Sequence, residues 1–458
     1  MQLRRYQEQA ISDLRTAMQQ GAKAPLLCLA TGGGKTCILA TIAAQAAAKG
    51  RHVLVLVHRR ELIHQTASKL AWAGLQHGII AAGHPASDHA VQVASVQTLV
   101  RRLPSMNWQP SLVIIDEAHH AAAGSWRRIL DHWPDAYRLG VTATPCRLDG
   151  RGLSEAFDQL VLGPSVADLV FWGFLSPARI YAPPVVADLS GIRRRAGDYA
   201  NDQAAAAMDR PTVTGDAIAH YQRLAAGQQA IAFCCNVAHA VSVCDAFKTA
   251  GINAALLLGN TTDRDQVVAQ YAAGVVRVLV TVDVVSEGFD VPAASCAILL
   301  RPTQSLGLYL QQVGRVLRPA PGKPHALILD HVGNVTRHGF PDETREWNLA
   351  EGIVRGKSGT AAPSVRTCPE CFAAFKPQPQ CPVCGAQCAP IRSTKIRQLM
   401  GELKELRREE VQQRIADRER AKRQRQSART LPQLLALAKE RGYAPGWAYR
   451  IHQVRGQR

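Results

Sequence analysis

Apolar and polar positions in the first third of the chain alternate in blocks of two lengths. Short runs rich in Val, Ile and Leu ("APLLCLA", "HVLVLVH", "VQVASV", "SLVIIDEAHH", "YRLGVTATP") stand between longer stretches with helical spacing, such as "TCILATIAAQAAAKG" and Arg60 to Ala73. The short runs read as buried strands and the longer ones as helices, so their alternation predicts βαβ units around a parallel sheet. A second series follows, with strands at "QQAIAFCC", "AALLLG", "VRVLVTVD", "SCAILLR" and "HALILDH". Helices run between them through "AHAVSVCDAFKTAG", "DRDQVVAQYAAG" and "SLGLYLQQVGRVL". The expected architecture is two tandem α/β domains with parallel sheets, residues 1–163 and 212–340, joined by a proline-spotted connecting segment, residues 164–211.

After Asp330 the pattern dissolves into a polar linker (341–365), a cysteine cluster (366–390) and a charged, basic helical region (391–458). A helix is expected from about Ile391 to Arg429. Beyond it Thr430 as cap, a proline in the first turn and Gly442 as stop mark a shorter one. The chain carries a formal charge of +18, and 18 Lys and Arg against 7 Asp and Glu fall after residue 390. Such a surplus steers a protein toward a polyanion, and its position makes the tail an arm for nucleic acid or for a protein partner. No apolar run reaches membrane length and the first residues lack a signal-peptide core, so the expectation is a cytoplasmic chain with no membrane partner.

Twelve cysteines divide into two groups. Seven lie in apolar segments (Cys28, Cys37, Cys146, Cys234, Cys235, Cys244, Cys296) and are expected to be reduced and buried. In "CPECFAAFKPQPQCPVCG" two C-x-x-C pairs stand nine residues apart, a spacing that directs four thiolates at one tetrahedral centre. Cys368, Cys371, Cys381 and Cys384 are therefore the expected ligands of a structural Zn²⁺, with Cys388 left over.

Three stretches carry chemistry. "LATGGGKT" is a phosphate loop missing its leading glycine, where Leu29 stands: Gly32, Gly33 and Gly34 free the backbone, Lys35 reaches phosphates and Thr36 holds Mg²⁺. Taken alone it is equally a flexible strand-to-helix turn. "LVIIDEAHH" ends a buried strand in Asp116 and Glu117, suited to a metal shell and to positioning a water, though such a pair is also common as helix N-terminal charge. "QQVGRVLR" sets Arg315 and Arg318 three apart on one helical face, either a reach toward an anion or a solvated face.

"ATGGGKT", "DEAHH", "TATP", "SEGFDVP" and "QQVGRVLR" together resemble the superfamily 2 helicases in order and spacing, over about residues 1–340. Within that superfamily the chain looks like the RadD-like and phage-encoded DEAD/DEAH-box branch. The resemblance implies two RecA-like domains with ATP and Mg²⁺ between them. It makes Gln7 of "LRRYQ" an adenine reader with Arg4 beside it. Thr31 to Thr36 become the phosphate loop, Asp116 and Glu117 the metal and water residues, and Thr142 and Thr144 the coupling segment. Gly288 and Asp290 would approach the nucleotide from the second domain, with Gln311, Arg315 and Arg318 as the arginine-finger helix. His58, Arg59, Ser95, Gln97, Thr98 and Thr281 would hold nucleic-acid phosphates.

The expectation is an ATP-dependent motor on nucleic acid, with DNA, single-stranded or branched, favoured by resemblance alone. An RNA helicase, or an ATP-switched recruitment factor that separates no strands, remains the alternative.

Overall fold

The computed structural model describes residues 2–58, 60–121, 123–147, 149–182, 194–195, 198–208, 211–259, 261–282, 294–350, 352–353, 366–367, 374–375, 380, 385–387, 404–405, 408–428, 430–441, 447–449 and 452. The chain forms two units, one of Met1–Asn334, Phe340–Lys357 and Thr394–Glu405, the other of Val335–Gly339, Ser358–Ser393 and Leu406–Arg458.

The larger unit contains two seven-stranded sheets. Strands β1 (Pro25–Cys28), β2 (Val53–Val57), β3 (Gly78–Ile80), β4 (Val91–Ser95), β5 (Leu112–Asp116), β6 (Tyr137–Thr142) and β7 (Gln159–Leu162) form the first. Their order is β3-β4-β2-β5-β6-β1-β7, and every pairing is parallel. All five residues of β2 are fully buried, as expected of a strand covered on both faces, and each such Val or Leu stabilises the fold by about 1.5–3 kcal/mol. Helices α1 (Arg5–Gln19), α2 (Lys35–Ala47), α3 (Arg60–Trp72) and α4 (Val96–Arg102) pack on these strands, and α5 (Gly124–His132) packs on α4. The helix α1 buries Tyr6, Ala10, Ile11, Leu14 and Ala17, one apolar stripe at helical spacing.

The segment expected to be a plain connector does more. It holds α6 (Val166–Phe171), β8 (Ala178–Ala182), the pair β9 (Arg194–Arg195) and β10 (Asp198–Tyr199), and α7 (Asn201–Met208). Strand β8 pairs parallel with Ala326–Asp330 and belongs to the second sheet. It escapes notice in the sequence because "ARIYA" is short and flanked by Pro177 and Pro183, which read as loop punctuation.

After α8 (Pro211–Leu224) come β11 (Ala230–Phe233), α9 (Val237–Thr249), β12 (Ala254–Leu257), α10 (Arg264–Ala272), β13 (Val278–Thr281), β14 (Cys296–Leu299), α11 (Leu306–Gly314), β15 (Ala326–Asp330) and α12 (Asn334–His338). The second sheet runs β12-β13-β11-β14-β15-β8, with Lys404–Glu405 antiparallel on its edge beside β8. Leaving out the outermost strand at that end of each sheet, β7 and Lys404–Glu405, the two orders match, with β8 in the slot of β1.

The linker expected at 341–365 also has structure. Trp347–Asn348 (β16) and Gly352–Ile353 (β17) pair antiparallel, and between them Leu349 docks on the first lobe. Its carbonyl accepts from the amides of Leu153 (2.6 Å) and Ser154 (3.0 Å), and its side chain joins the first core. Just before, the Arg345 guanidinium donates to the carbonyls of Phe340, Pro341 and Glu343, curling that stretch on itself.

In the smaller unit β18 (Arg366–Thr367) and β19 (Ala374–Phe375) pair antiparallel. Two helices follow, α13 (Arg408–Ser427) and α14 (Leu431–Arg441), so the charged helix begins later than the sequence suggests. The Thr430 cap is present, with its hydroxyl accepting from Gln433 N and its amide donating to Gln433 Oε1. Leu434, Leu437, Ala438, Ala428 and Ala448 make a small core there. Gly442 and the cysteines 368, 371, 381, 384 and 388 lie outside the described residues. Of the seven scattered cysteines six are buried thiols and Cys37 is half-buried. No helix among the described residues is long and apolar enough to cross a membrane.

Candidate active site

Parallel strands deliver their carboxyl ends to one edge of the sheet, where ligands of such folds bind. In the first sheet that edge gathers the expected residues. Cys28, last in β1, is the register partner of Thr142, last in β6, and Asp116, last in β5, is the partner of Val141. Across β2, Val57 pairs with Ser95, which sets His58 and Ser95 on the same edge.

The phosphate loop follows β1. Gly34 caps α2 with φ +84°, a left-handed backbone that places the helix N-terminus, with Lys35 and Thr36 in its first turn, over the loop. Lys35 Nζ donates to the carbonyl of Leu29 at 3.3 Å. The helix α1 braces the loop from outside: Tyr6 Oη and Gln7 Nε2 both donate to the carbonyl of Gly33, at 2.9 and 3.1 Å. Gln7 Oε1 accepts from the Arg4 amide at 3.0 Å, so this buried glutamine has both ends committed. In this arrangement it braces the loop. Tyr6 has no motif to mark it and was missed in the sequence. Beside it a groove of about 1030 Å³ is walled by Arg4, Tyr6, Trp172 and Phe174, with the Arg4 guanidinium 4.5 Å over the Phe174 ring.

Asp116 and Glu117 are buried at the end of β5. Glu117 alone among described non-glycine residues has a positive φ, 49°, a strained conformation that turns its side chain out of line with the strand. Burial, reinforced by the Glu117 charge, holds the Asp116 carboxyl above the usual carboxylate range, while Lys35 pulls it back down. Glu117 Oε2 is buried without a hydrogen bond, 3.4 Å from His119 Nδ1. Two crowded carboxylates suit a cation, and Asp116 and the Thr36 hydroxyl offer the kind of oxygen-only donors that Mg²⁺ takes.

From Glu117 a line of contacts leads to the other lobe. His119 Nδ1 is also 3.4 Å from Thr142 Oγ1, and that hydroxyl donates to the Thr144 carbonyl at 3.0 Å. A methyl on Gly307 of α11 would stand 2.9 Å from Thr144 Oγ1, and one on Gly314 would stand 2.5 Å from Thr31 Cβ. Seven residues apart, the two glycines lie on one face of α11, so the helix rests along the coupling segment and the phosphate loop.

The arginine pair departs from expectation. Regular α11 ends at Gly314, so Arg315 and Arg318 lie in the turns beyond it. Arg315 is buried, as is Gln311. A methyl on Gly32 would come 3.6 Å from Arg318 Cγ, which sets Arg318 against the phosphate loop.

The nucleic-acid candidates divide. Gln97 is exposed, and His58, Ser95 and Thr98 are half-buried. The His58 ring lies 4.3 Å from that of His120, itself 4.2 Å from His119. Thr281 is fully buried, its hydroxyl donating to the Leu257 carbonyl at 2.8 Å. Arg59, Gly288 and Asp290 lie outside the described residues.

Residues 1–147 match the family described as "Type III restriction enzyme, res subunit" and residues 215–320 the one described as "Helicase conserved C-terminal domain". A 51.5 kDa protein of a Lactococcus phage (isolate 7-9) is 34% identical over 388 residues, covering 84% of this chain and 82% of that one. A Saccharomyces cerevisiae protein assigned as the ATP-dependent helicase IRC3 is 33% identical over 354 residues, 72% of this chain. The match spans about half, 51%, of that yeast protein's length. Among solved structures, a fragment of an HsdR-type subunit of a type I restriction enzyme from Vibrio vulnificus YJ016 aligns with a TM-score of 0.59 at 22% identity, over 76% of this chain and 69% of that one. Saccharomyces cerevisiae Dbp5, solved with RNA and ADP BeF3, aligns with a TM-score of 0.52 at 16% identity, over 74% and 88%. These two likenesses concern the fold alone. The relatives and the paired family matches agree with the strings at the sheet edge: the chain belongs to the superfamily 2 helicases, ATP-hydrolysing motors of nucleic acid.

Proposed function

We propose that this motor acts on DNA, single-stranded or branched, and that its turnover depends on closure of the two lobes around ATP. The observation that carries the reading is the seat of α11, with Gly314 on Thr31 and Arg318 beside Gly32. Lys35 and the loop amides bind phosphates, Thr36 and Asp116 hold Mg²⁺, and Glu117 orients the attacking water. Bound Mg²⁺ supplies charge that stabilises the phosphate oxygens during transfer. Arg315 and Arg318 meet the developing charge from the second lobe, assisted by Gln311, and Thr142 and Thr144 pass closure to the carboxylates. Arg4, Tyr6, Trp172 and Phe174 receive the base. Gly288 and Asp290 complete the nucleotide site from the second lobe.

His58, Arg59, Ser95, Gln97 and Thr98 hold the strand through its phosphates, contacts that carry no sequence information. Cys368, Cys371, Cys381 and Cys384 hold one structural Zn²⁺, on the strength of their spacing, within a ribbon at residues 366–390. The basic region after it anchors nucleic acid or a protein partner. The motor works in the cytoplasm, with its first lobe ending near residue 163 and its second beginning at β8.

ATPase rates measured with single-stranded DNA, duplex, branched DNA and RNA offered separately test the reading. Stimulation by DNA above RNA is expected, and stimulation by RNA alone would overturn the DNA assignment. A strand-displacement assay run in parallel separates a helicase from an ATP-driven switch.

A further inference from the structure

Lys323 stands five residues beyond Arg318, in the turn that leads to β15. Its ammonium donates to three main-chain carbonyls, Val316 at 2.6 Å, Arg318 at 2.7 Å and Ala294 at 2.8 Å. An ammonium has three donors and no acceptor, so all three donors have partners. The carbonyls of Val316 and Arg318 lie past the regular end of α11, where the helix no longer supplies partners for them. Ala294 leads into β14, which is fully buried between β11 and β15. One side chain therefore ties the arginine stretch, on both sides of Leu317, to a core strand.

We propose that Lys323 is a positioning residue for ATP hydrolysis: its ammonium fixes the main chain of Val316 to Arg318, so that the Arg318 guanidinium is presented to the phosphate loop. The inference rests on the reading of Arg318 as the group that acts across the cleft. A lysine serving stability alone would gain little here. Burial, and then the nearby Arg318 charge, push its pKa down to about 8, so the fold holds two cations close together at a cost. What that arrangement secures is the geometry of the arginine stretch, because two of the ammonium's three bonds are to main chain of that stretch and the third, to Ala294, ties it to the core.

The test is a kinetic cycle on the full chain with saturating ATP and single-stranded DNA. Lys323→Met keeps the apolar stem and removes the tripod. It should lower kcat by about tenfold or more with KM for ATP within about twofold, the signature of an interaction that matters only in the transition state. Lys323→Gln, whose amide serves at most two of the carbonyls, should fall between, and it carries the comparison if the Met variant does not fold. Combined with Arg318→Ala, Lys323→Met should add nothing, since the residue it positions is gone. Wild-type kcat in both Lys323 variants, or losses that multiply in the double variant, would overturn the inference while leaving the arginine reading intact. Wild-type kcat in Arg318→Ala would overturn both.

Discussion

Gly314 of α11 lies so close to Thr31 of the phosphate loop that a side chain as small as methyl would stand 2.5 Å from the threonine Cβ. Approaches that short do not occur between carbons, so one partner has to move. Gly314 is the last residue of α11, where alanine gains only part of the roughly 1 kcal/mol it holds over glycine inside a helix. Gly314→Ala should therefore leave the melting temperature unchanged or slightly higher while nucleic-acid-stimulated turnover falls about tenfold or more, because the lobes no longer seat. Stimulated turnover at the parent rate would show that this seat is not the catalytic one.

Lys35 and Glu117 should separate binding from chemistry. Lys35→Ala removes the cation from the loop and should weaken nucleotide binding in a direct assay. Glu117→Gln keeps the shape of the site and should retain binding while kcat drops by about 10²-fold or more, as expected when a water-orienting group is removed. Near-parental turnover in Glu117→Gln would remove it from the chemistry.

The ammonium of Lys323 has a pKa of about 8, below the ordinary lysine value because of burial and the Arg318 charge. Below that pH it offers three donors, and above it the neutral amine offers two. Turnover should fall as pH rises through about 8, and Lys323→Met should lose that limb of the profile. The stability contribution runs the other way. The unfolded chain holds this proton up to about pH 10.4, so between the two values the folded form binds fewer protons and this group's contribution rises with pH. In thermal melts across pH 7 to about 10 the parent should show this rise in stability and Lys323→Met should lack it.

Metal analysis of the full chain, purified without chelator, should give one zinc per molecule. Cys371→Ser should lose it and Cys388→Ser should keep it. A chain devoid of zinc would leave the four-thiolate reading without support.

The tail prediction changes with the fold. Ending the chain at Pro390 would remove Lys404–Glu405 from the edge of the second sheet, confounding a binding test with damage to that lobe. A chain ended at Glu405 keeps that strand. It should bind single-stranded DNA less tightly, and the slope of log affinity against log salt should flatten by about 0.7 for each phosphate the tail had neutralised. Equal slopes would point the tail toward a protein partner.

The strands and helices around the first sheet were legible because both faces of a parallel sheet are covered, which writes each strand as an unbroken apolar run, "VLVLV" being the clearest. The loop and the acidic pair were legible because phosphate and metal chemistry admits few residue types. Strand β8 was not, since five residues between prolines carry no periodic signal. Tyr6 and Lys323 were not, because each acts on main-chain carbonyls, whose position is set by the fold and leaves no mark in side-chain spacing. The end of α11 at Gly314 was overrun by an apolar pattern that continues through Leu317 although the helix stops.

Leu349 bears on how the lobes can part. The chain joins them once through the segment before β8, and the two hydrogen bonds at Leu349, in the chain beyond β15, join them a second time. The bonds of Arg345 to its own neighbours gather in slack that would otherwise let this return path extend. A body held at two points rocks about the line through them more readily than it drifts away. Each lobe thus stays at high effective concentration for the other when the cleft is open. Severing the connecting segment would then leave the bonds at Leu349 and the seat of α11 to hold the halves together.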